Sequence, residues 1–289
     1  MTIWLIANPQ AGSGDRGETF WCPFLAAAGL AEPSVCDLND TAWVNSVKAG
    51  DWLLAAGGDG TVNKTAAICL STGGILGVLP SGTANDFARN LALPEDPQAL
   101  CDLIAEGHTR PVDVAWANGQ MYLNVCHIGM GTWPVREATS ELKQRWGRLG
   151  YARVLLGQYR AYRGFRAAIR CQQAWVKGRW LTIGVATGAF YGGGHFIPQA
   201  TANDGQLDVV AVRPRPIPHL LLAFLLTRLL GRTPKTSETL VHLKGVRCDI
   251  KTRRPKTVTA DGEIMGETPL EVRCEAGCLQ VICSAVVTT

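Results

Sequence analysis

Trp52-Leu53-Leu54-Ala55-Ala56-Gly57-Gly58-Asp59-Gly60-Thr61 runs five apolar residues straight into a glycine turn, and a helical pattern follows from Val62 to Leu70. A short unbroken apolar run closed by such a turn reads as a strand buried on both faces. Glycines at the end of that strand let the backbone approach a phosphate closely. The free N–H groups and dipole of the following helix favour the anion. Asp59 is out of place in a plain anion loop, because a carboxylate repels phosphate. It fits if Mg2+ lies between the two. The same residues would also serve as a tight turn with an acidic cap.

The pattern recurs on both sides of this stretch. A strand at Ile75–Leu79 ends at Pro80, and Ser81-Gly82-Thr83-Ala84-Asn85-Asp86 opens a short helix over Asp86–Leu91. Two glycine-hydroxyl-acid loops on successive strands would lie side by side at the carboxyl edge of a parallel sheet, where ligands bind. Earlier, a strand at Thr2–Ala7 ends in Asn8-Pro9-Gln10-Ala11-Gly12-Ser13-Gly14. Gly12-Ser13-Gly14-Asp15-Arg16-Gly17 matches the dinucleotide fingerprint G-x-G-x-x-G, with Asp37 following a weak strand at Ser34–Cys36. Asn8-Pro9 separates those glycines from their strand, however, and hydride transfer gives Gly57–Thr61 no role. No G-x-x-x-x-G-K-[ST] pattern occurs. Helices are expected over Glu18–Ala28, Thr41–Lys48 and Pro97–Glu106. Strand–helix alternation of this kind implies a parallel sheet covered by helices on both faces.

Near Ala115 the pattern changes. Met121–Ile128 is strand-like, and Glu137–Gln144 and Arg148–Tyr162 read as helices. Short strand candidates follow at Phe165–Cys171, Trp180–Thr187, Leu207–Val212, Val246–Lys251, Lys256–Ala260, Leu270–Cys274 and Leu279–Ala285. Such runs imply an antiparallel sandwich. The expected fold is α/β: a Rossmann-like parallel-sheet nucleotide-binding domain over 1–115, which 284–289 could complete, and a β-sandwich substrate domain over 116–283.

Composition agrees with a core-forming chain: 289 residues, 47% hydrophobic, 18% charged and rich in glycine. Ten cysteines are scattered without a Cys-x-x-Cys pair, which argues for small buried apolar residues rather than disulfides or zinc. The start lacks a basic leader, and the longest apolar run, Ile217–Leu230, falls short of a membrane span. A cytoplasmic location is therefore expected. The net charge of +4 conceals an asymmetry. Residues 1–141 carry 6 Lys/Arg against 15 Asp/Glu, and residues 142–289 carry 22 against 9. That basic half reads either as a solvated face or as a surface for phosphates and anionic lipid headgroups. Asp261-Gly262-Glu263 and Asp204-Gly205 read first as turns.

Asn8-Pro9 with Gly12, Gly57–Thr61 with Asn63, and Leu79-Pro80-Ser81-Gly82-Thr83-Ala84-Asn85-Asp86-Phe87-Ala88-Arg89 together resemble the catalytic-domain family of diacylglycerol kinases. Gly192-Gly193-Gly194, Pro198, Asp204-Gly205-Gln206-Leu207-Asp208 and Asp261-Gly262-Glu263 extend the resemblance over nearly the whole chain. It implies transfer of the γ-phosphate of ATP to a lipid hydroxyl with Mg2+. Asn8, Pro9, Gln10, Ala11 and Gly12 would contact ATP, as would Gly57, Gly58, Asp59, Gly60, Thr61, Val62, Asn63 and Thr83. Asp37, the acidic position of the fingerprint, joins these nucleotide contacts. Asp59 and Asp86 would organise the catalytic Mg2+ and its waters. Glu263 would be the general base, and Asp261 would orient it or the metal. A structural divalent ion would use the Asp204 side chain, with Thr201 and Gln206 giving backbone carbonyls. Lys64 departs from the family, which usually has Glu there; it weakens the site or contacts phosphate directly. The implied partners are a lipid substrate and a membrane surface touched peripherally, at the inner face, through the basic half. Ile217–Leu230 and Lys143–Arg170 are the candidate elements. No nucleic acid is expected, and a homodimer stays open. The rival readings are a kinase of a soluble nucleotide such as NAD, and a degenerate nucleotide- or lipid-binding protein without activity.

Overall fold

The computed structural model describes residues 1–8, 16–132, 164–191, 195–197, 200–216 and 239–284. The first part alternates strands and helices: β1 (Ile3–Ala7), α1 (Glu18–Ala27), β2 (Ser34–Cys36), β3 (Trp52–Gly57), α2 (Asp59–Thr72), β4 (Ile75–Pro80), α3 (Asp86–Asn90) and α4 (Pro97–Glu106). The order β2-β1-β3-β4 is parallel throughout. Every residue of β3 is buried, because side chains alternate between two covered faces. Leu53 and Ala55 join Val62, Ala66 and Cys69 of α2 in one core. Trp52, Leu54 and Ala56 join Trp21 and Leu25 of α1 and Leu100, Cys101 and Ile104 of α4 in another. Helix α4 matches its expected bounds because its ends are chemically marked. The Asp96 carboxylate accepts from Ala99 N, Pro97 stands in the first turn, and Gly107 closes the helix in a left-handed conformation. The stretch expected as a helix over Thr41–Lys48 forms a 3₁₀ turn at Ala42–Ser46.

The second part is strand among the described residues apart from a 3₁₀ turn at Met130–Thr132: β5 (Thr109–Ala117), β6 (Gln120–Tyr122), β7 (Val125–Gly129), β8 (Phe165–Cys171), β9 (Ala174–Trp180), β10 (Thr182–Ala186), β11 (Phe190–Tyr191), β12 (His195–Phe196), β13 (Leu207–Val212), β14 (Leu240–Gly245), β15 (Arg247–Thr252), β16 (Thr257–Ala260), β17 (Glu263–Glu267) and β18 (Leu270–Ile282). An antiparallel sheet ordered β14-β13-β10-β7-β16-β17 stacks on β18-β15-β8-β9. The core between them is filled by Cys126, Ile128, Ile183 and Val209 from one sheet and Ile169, Ile250 and Val272 from the other. This is the sandwich expected from the sequence.

One strand joins the two parts. The first half of β18 pairs with β15, its last turn of residues pairs in parallel with β4 through Val281 and Leu76, and β5 runs along it almost throughout. A bulge between Glu275 and Leu279, with Gly277 at φ +58°, lets it change direction. The separate strands expected at Leu270–Cys274 and Leu279–Ala285 are thus one, and its end at Ile282 enters the parallel sheet before residue 284. The expected boundary near 115 falls inside β5. The expected strand Met121–Ile128 breaks at Leu123-Asn124, and Trp180–Thr187 divides between β9 and β10. The expected helices at Glu137–Gln144 and Arg148–Tyr162, the apolar run Ile217–Leu230, Gly192–Gly194, Pro198 and 285–289 lie outside the described residues.

Candidate active site

Register brings the carboxyl ends of β1, β3 and β4 to one edge: Ala7 lies opposite Ala56, and Gly57 opposite Pro80. Asn8 N donates to Ala56 O at 3.0 Å and Ser81 N to Gly57 O at 2.9 Å. The two glycine loops meet backbone to backbone. A Cβ built on Gly82 would stand 2.5 Å from Cα of Gly58, so a side chain there would force the loops apart. Asn85 adopts φ +50° and clasps the second loop, accepting from Gly82 N at 3.0 Å and donating to Gly82 O at 2.9 Å. Trp21 Nε1 donates to the buried Ser81 hydroxyl at 2.9 Å, tying that loop to α1.

The loops open on a cavity of about 450 Å3 lined by Asn8, Leu38, Gly58, Asp59, Gly60, Thr61, Lys64, Gly82, Thr83, Ala84 and Glu263. Helix α2 starts at this wall; Thr61 N and Val62 N close on Gly58 O, and the N–H groups before them have no intrahelical acceptor. They and the helix dipole supply the positive field, and Lys64 is the basic side chain of the lining. Asn8 Nδ2 donates to Thr61 Oγ1 at 3.2 Å, joining the β1 and β3 loops. Glu263 reaches the same cavity from β17 of the sandwich. The structure therefore brings Asn8, Gly58, Asp59, Gly60, Thr61, Thr83 and Glu263 together.

Other expected contacts sit elsewhere. Val62 is buried in the core behind α2. Gly57 is buried at the end of β3, where a Cβ would run into the Thr61 side chain. Asp86 begins α3, buried and outside the lining, with one oxygen 3.8 Å from the Arg89 guanidinium. Asp37 is outside the lining, one of its carboxylate oxygens accepting from the backbone and side-chain nitrogens of Asn39 at 2.9 Å; its neighbour Leu38 is the residue that faces the cavity. Pro9, Gln10, Ala11 and Gly12 lie outside the described residues.

Asp261 is a clamp. It stands at φ +46° in the turn between β16 and β17, and its carboxylate accepts from Asn63 Nδ2 (2.9 Å), Leu123 N (2.7 Å), Asn124 N (3.1 Å) and Val125 N (3.1 Å). The residue as a whole is half-buried, but its carboxylate is enclosed. Burial, with a smaller push from the Asp59 charge, raises it to about 6 against the hydrogen bonds that favour ionisation. Asn124 carries the connection onward, its Nδ2 donating to Asp59 Oδ1 at 3.3 Å. The same Asp59 oxygen accepts from Phe87 N at 3.0 Å, at the start of α3. Asp59 is thus held by both parts of the molecule, and Asn63 serves this clamp. Asn124 and Asn90 have no place in the sequence reading. Asn90 donates to Asn124 Oδ1 at 3.2 Å and bonds both backbone groups of Phe190. The signal of Asn124 in the sequence is a polar residue inside an apolar run, which must find partners when buried.

Metal fit divides the two proposed ions. Among the described residues no group of three or more His, Cys, Asp or Glu could hold a metal. Asp59 at the glycine cradle fits a catalytic Mg2+, which characteristically takes one or two carboxylates and completes its shell with phosphates and water. The Asp204 turn does not fit. Its carboxylate accepts from Gln206 N at 3.0 Å through one oxygen and from Lys244 Nζ at 2.7 Å through the other. Thr201 and Gln206 therefore flank an ion pair.

The site is thus a glycine-turn cradle at the carboxyl edge of a parallel sheet, closed by a carboxylate from an attached sandwich. Residues 2–117 match the diacylglycerol kinase catalytic domain, and residues 127–283 match the YegS C-terminal NAD kinase beta sandwich-like domain. A Pseudomonas aeruginosa protein named probable lipid kinase YegS-like is 31% identical over 79% of this chain and 75% of its own length. The diacylglycerol kinase of Bacillus subtilis is 28% identical over 76% and 74%. A crystal structure of a diacylglycerol kinase from Bacillus anthracis superposes with TM-score 0.72 at 25% identity, over 98% of this chain and 97% of that one. The chain belongs to the diacylglycerol kinase catalytic-domain family of lipid kinases.

Proposed function

We propose that this kinase transfers the γ-phosphate of ATP to a hydroxyl of a membrane lipid such as diacylglycerol. The observation that carries the reading is that Glu263, from the sandwich, lines the same cavity as the phosphate loops around Asp59 and Gly82. The backbone amides at the start of α2 and the Lys64 ammonium would hold the phosphates. Asp59, fixed by Phe87 N and Asn124, would carry the Mg2+, which neutralises charge on the transferring phosphoryl group. Glu263 would accept the proton of the attacking lipid hydroxyl.

The basic second half supports a peripheral membrane contact. The outer face of β9-β8-β15 presents Lys177 and Arg179, Arg166 and Arg170, and Arg247 and Lys251, all exposed. Arg166 stands directly opposite Arg179, a like-charge pair that costs stability in a sheet. Beside them Trp175 is 62% exposed, with Lys177 Nζ 3.9 Å from its ring centroid. Basic side chains around an exposed Trp suit an anionic lipid interface. A hollow of about 350 Å3 on this face, lined by Arg170, Gln172, Arg247 and Asp249, contains none of the candidate catalytic residues. Among the described residues no helix is long and apolar enough to cross a membrane.

The direct test is radiolabelled ATP offered with diacylglycerol, monoacylglycerol, sphingoid bases and NAD. Label should move to a lipid, and Glu263→Gln should lower kcat by about 100-fold or more with little change in nucleotide affinity. Binding of ATP without transfer to any of these lipids overturns the proposal.

A further inference from the structure

We infer that Lys244 stands in for a divalent ion at the Asp204-Gly205 turn, so that this chain carries the structural cation of that turn as part of its own sequence. The placement comes from strand register. Lys244 on β14 lies directly opposite Asp208 on β13, and Asp204 is in the turn that leads into β13. Its Nζ is 2.7 Å from Asp204 Oδ2 and 3.6 Å from Asp208 Oδ2. Asp208 is fully buried, and its other oxygen lies 2.5 Å from Nε2 of the buried His242. One ammonium therefore serves two carboxylates, one at the turn and one in the sandwich.

The tasks that fall to a structural ion are met by protein groups. Neutralisation of Asp204 is done by Lys244. The turn itself is pinned by Asp113 of β5, whose carboxylate is buried. Asp113 accepts from Gly205 N at 2.6 Å and from Gly277 N in the β18 bulge at 2.8 Å, and its own N–H donates to Ala202 O at 2.9 Å. A divalent ion seated on Asp204 would have to displace the ammonium or share its carboxylate, where two cations repel each other in a partly desolvated site. Ca2+ and Mg2+ also need several oxygen ligands at about 2.0–2.6 Å. Here both oxygens of the one side-chain ligand are already engaged. The inference rests on this geometry and on family membership, and it stands or falls separately from the identity of the lipid.

The test uses the full-length chain without nucleotide, melted in EDTA and again with excess Ca2+ or Mg2+. The wild type should melt at the same temperature in both and retain no stoichiometric divalent metal after dialysis. Lys244→Gln leaves Asp204 and Asp208 without their cation. It should melt lower in EDTA and recover with Ca2+, and Asp204→Asn in the same background should abolish the recovery. Lys244→Arg, which keeps the charge, should remain indifferent to the ion. If Lys244→Gln does not fold, the wild type and Lys244→Arg decide. One divalent ion bound per wild-type chain and lost on Asp204→Asn overturns the inference, as does a wild-type melting temperature raised by Ca2+ and no longer raised after Asp204→Asn. A folded Lys244→Gln protein that melts like the wild type, or melts lower without answering to divalent ions, overturns it equally.

Discussion

Asp261 is one carboxylate facing four donors, and its environment decides how it responds to pH. Its carboxyl titrates at about 6 in the folded protein against an ordinary 3.8. Between those values the folded state holds a proton that the unfolded chain has released. This group therefore makes stability fall as pH rises from about 4 to about 6, with no further change above. Asp261→Asn removes the titration and turns an amide donor toward backbone N–H groups. It should cost about 1–3 kcal/mol at neutral pH. Urea titrations of both proteins should show the wild-type advantage shrinking over that pH window, by at most about 3 kcal/mol; an advantage that grows with pH contradicts the assignment. The sequence shows Asp261 and Glu263 as a pair flanking a glycine, but it does not separate their roles. The fold does, enclosing Asp261 among donors and leaving Glu263 exposed at the cavity. Lys64 is legible as a departure from the family, and its place on the cavity wall makes it a phosphate contact in the reading proposed above.

At the scale of elements, the glycine loops after β3 and β4 act as one unit because nothing larger than hydrogen fits between Gly58 and Gly82. Gly82→Ala should separate the loops by a few tenths of an ångström or more and destabilise the protein by about 1–3 kcal/mol. ATP affinity should fall as well; thermal unfolding and nucleotide titration measure the two effects. Equal melting temperature and affinity would show that the loops do not depend on this contact. Elements with marked ends, such as α4, were readable in the sequence. Several strands were not, β5 and β14 among them. In β5, Pro111 and the buried Asp113 interrupt the apolar alternation, and Pro within a run argues against a strand. In β14, His242 and Lys244 do the same. Those polar residues are tolerated because each has a fixed partner: Gly205 and Gly277 for Asp113, Asp208 for His242, and Asp204 for Lys244.

Across the whole molecule, charge is divided: an acidic half holds the glycine loops, and a basic half holds the exposed sheet face. Each basic residue near an anionic bilayer contributes about 1 kcal/mol. Reversing Arg166, Arg170 and Lys177 to Glu should therefore cut binding to anionic vesicles by about 100-fold or more in a salt-dependent way. Turnover of a short-chain, water-soluble lipid should be unchanged. Undiminished vesicle binding would place the membrane contact on another surface. By itself the sequence determined the parallel α/β part, the sandwich that follows and the strand–glycine turn–helix form of Gly57–Thr61, because strand burial, helix starts and glycine turns are local properties. Only the tertiary structure decided that β18 is one strand shared by both parts, that Asn63 meets Asp261 across 198 residues of chain, and that Asp204 faces Lys244. Those pairings follow from strand register and sheet order, which bring together side chains that no local pattern connects.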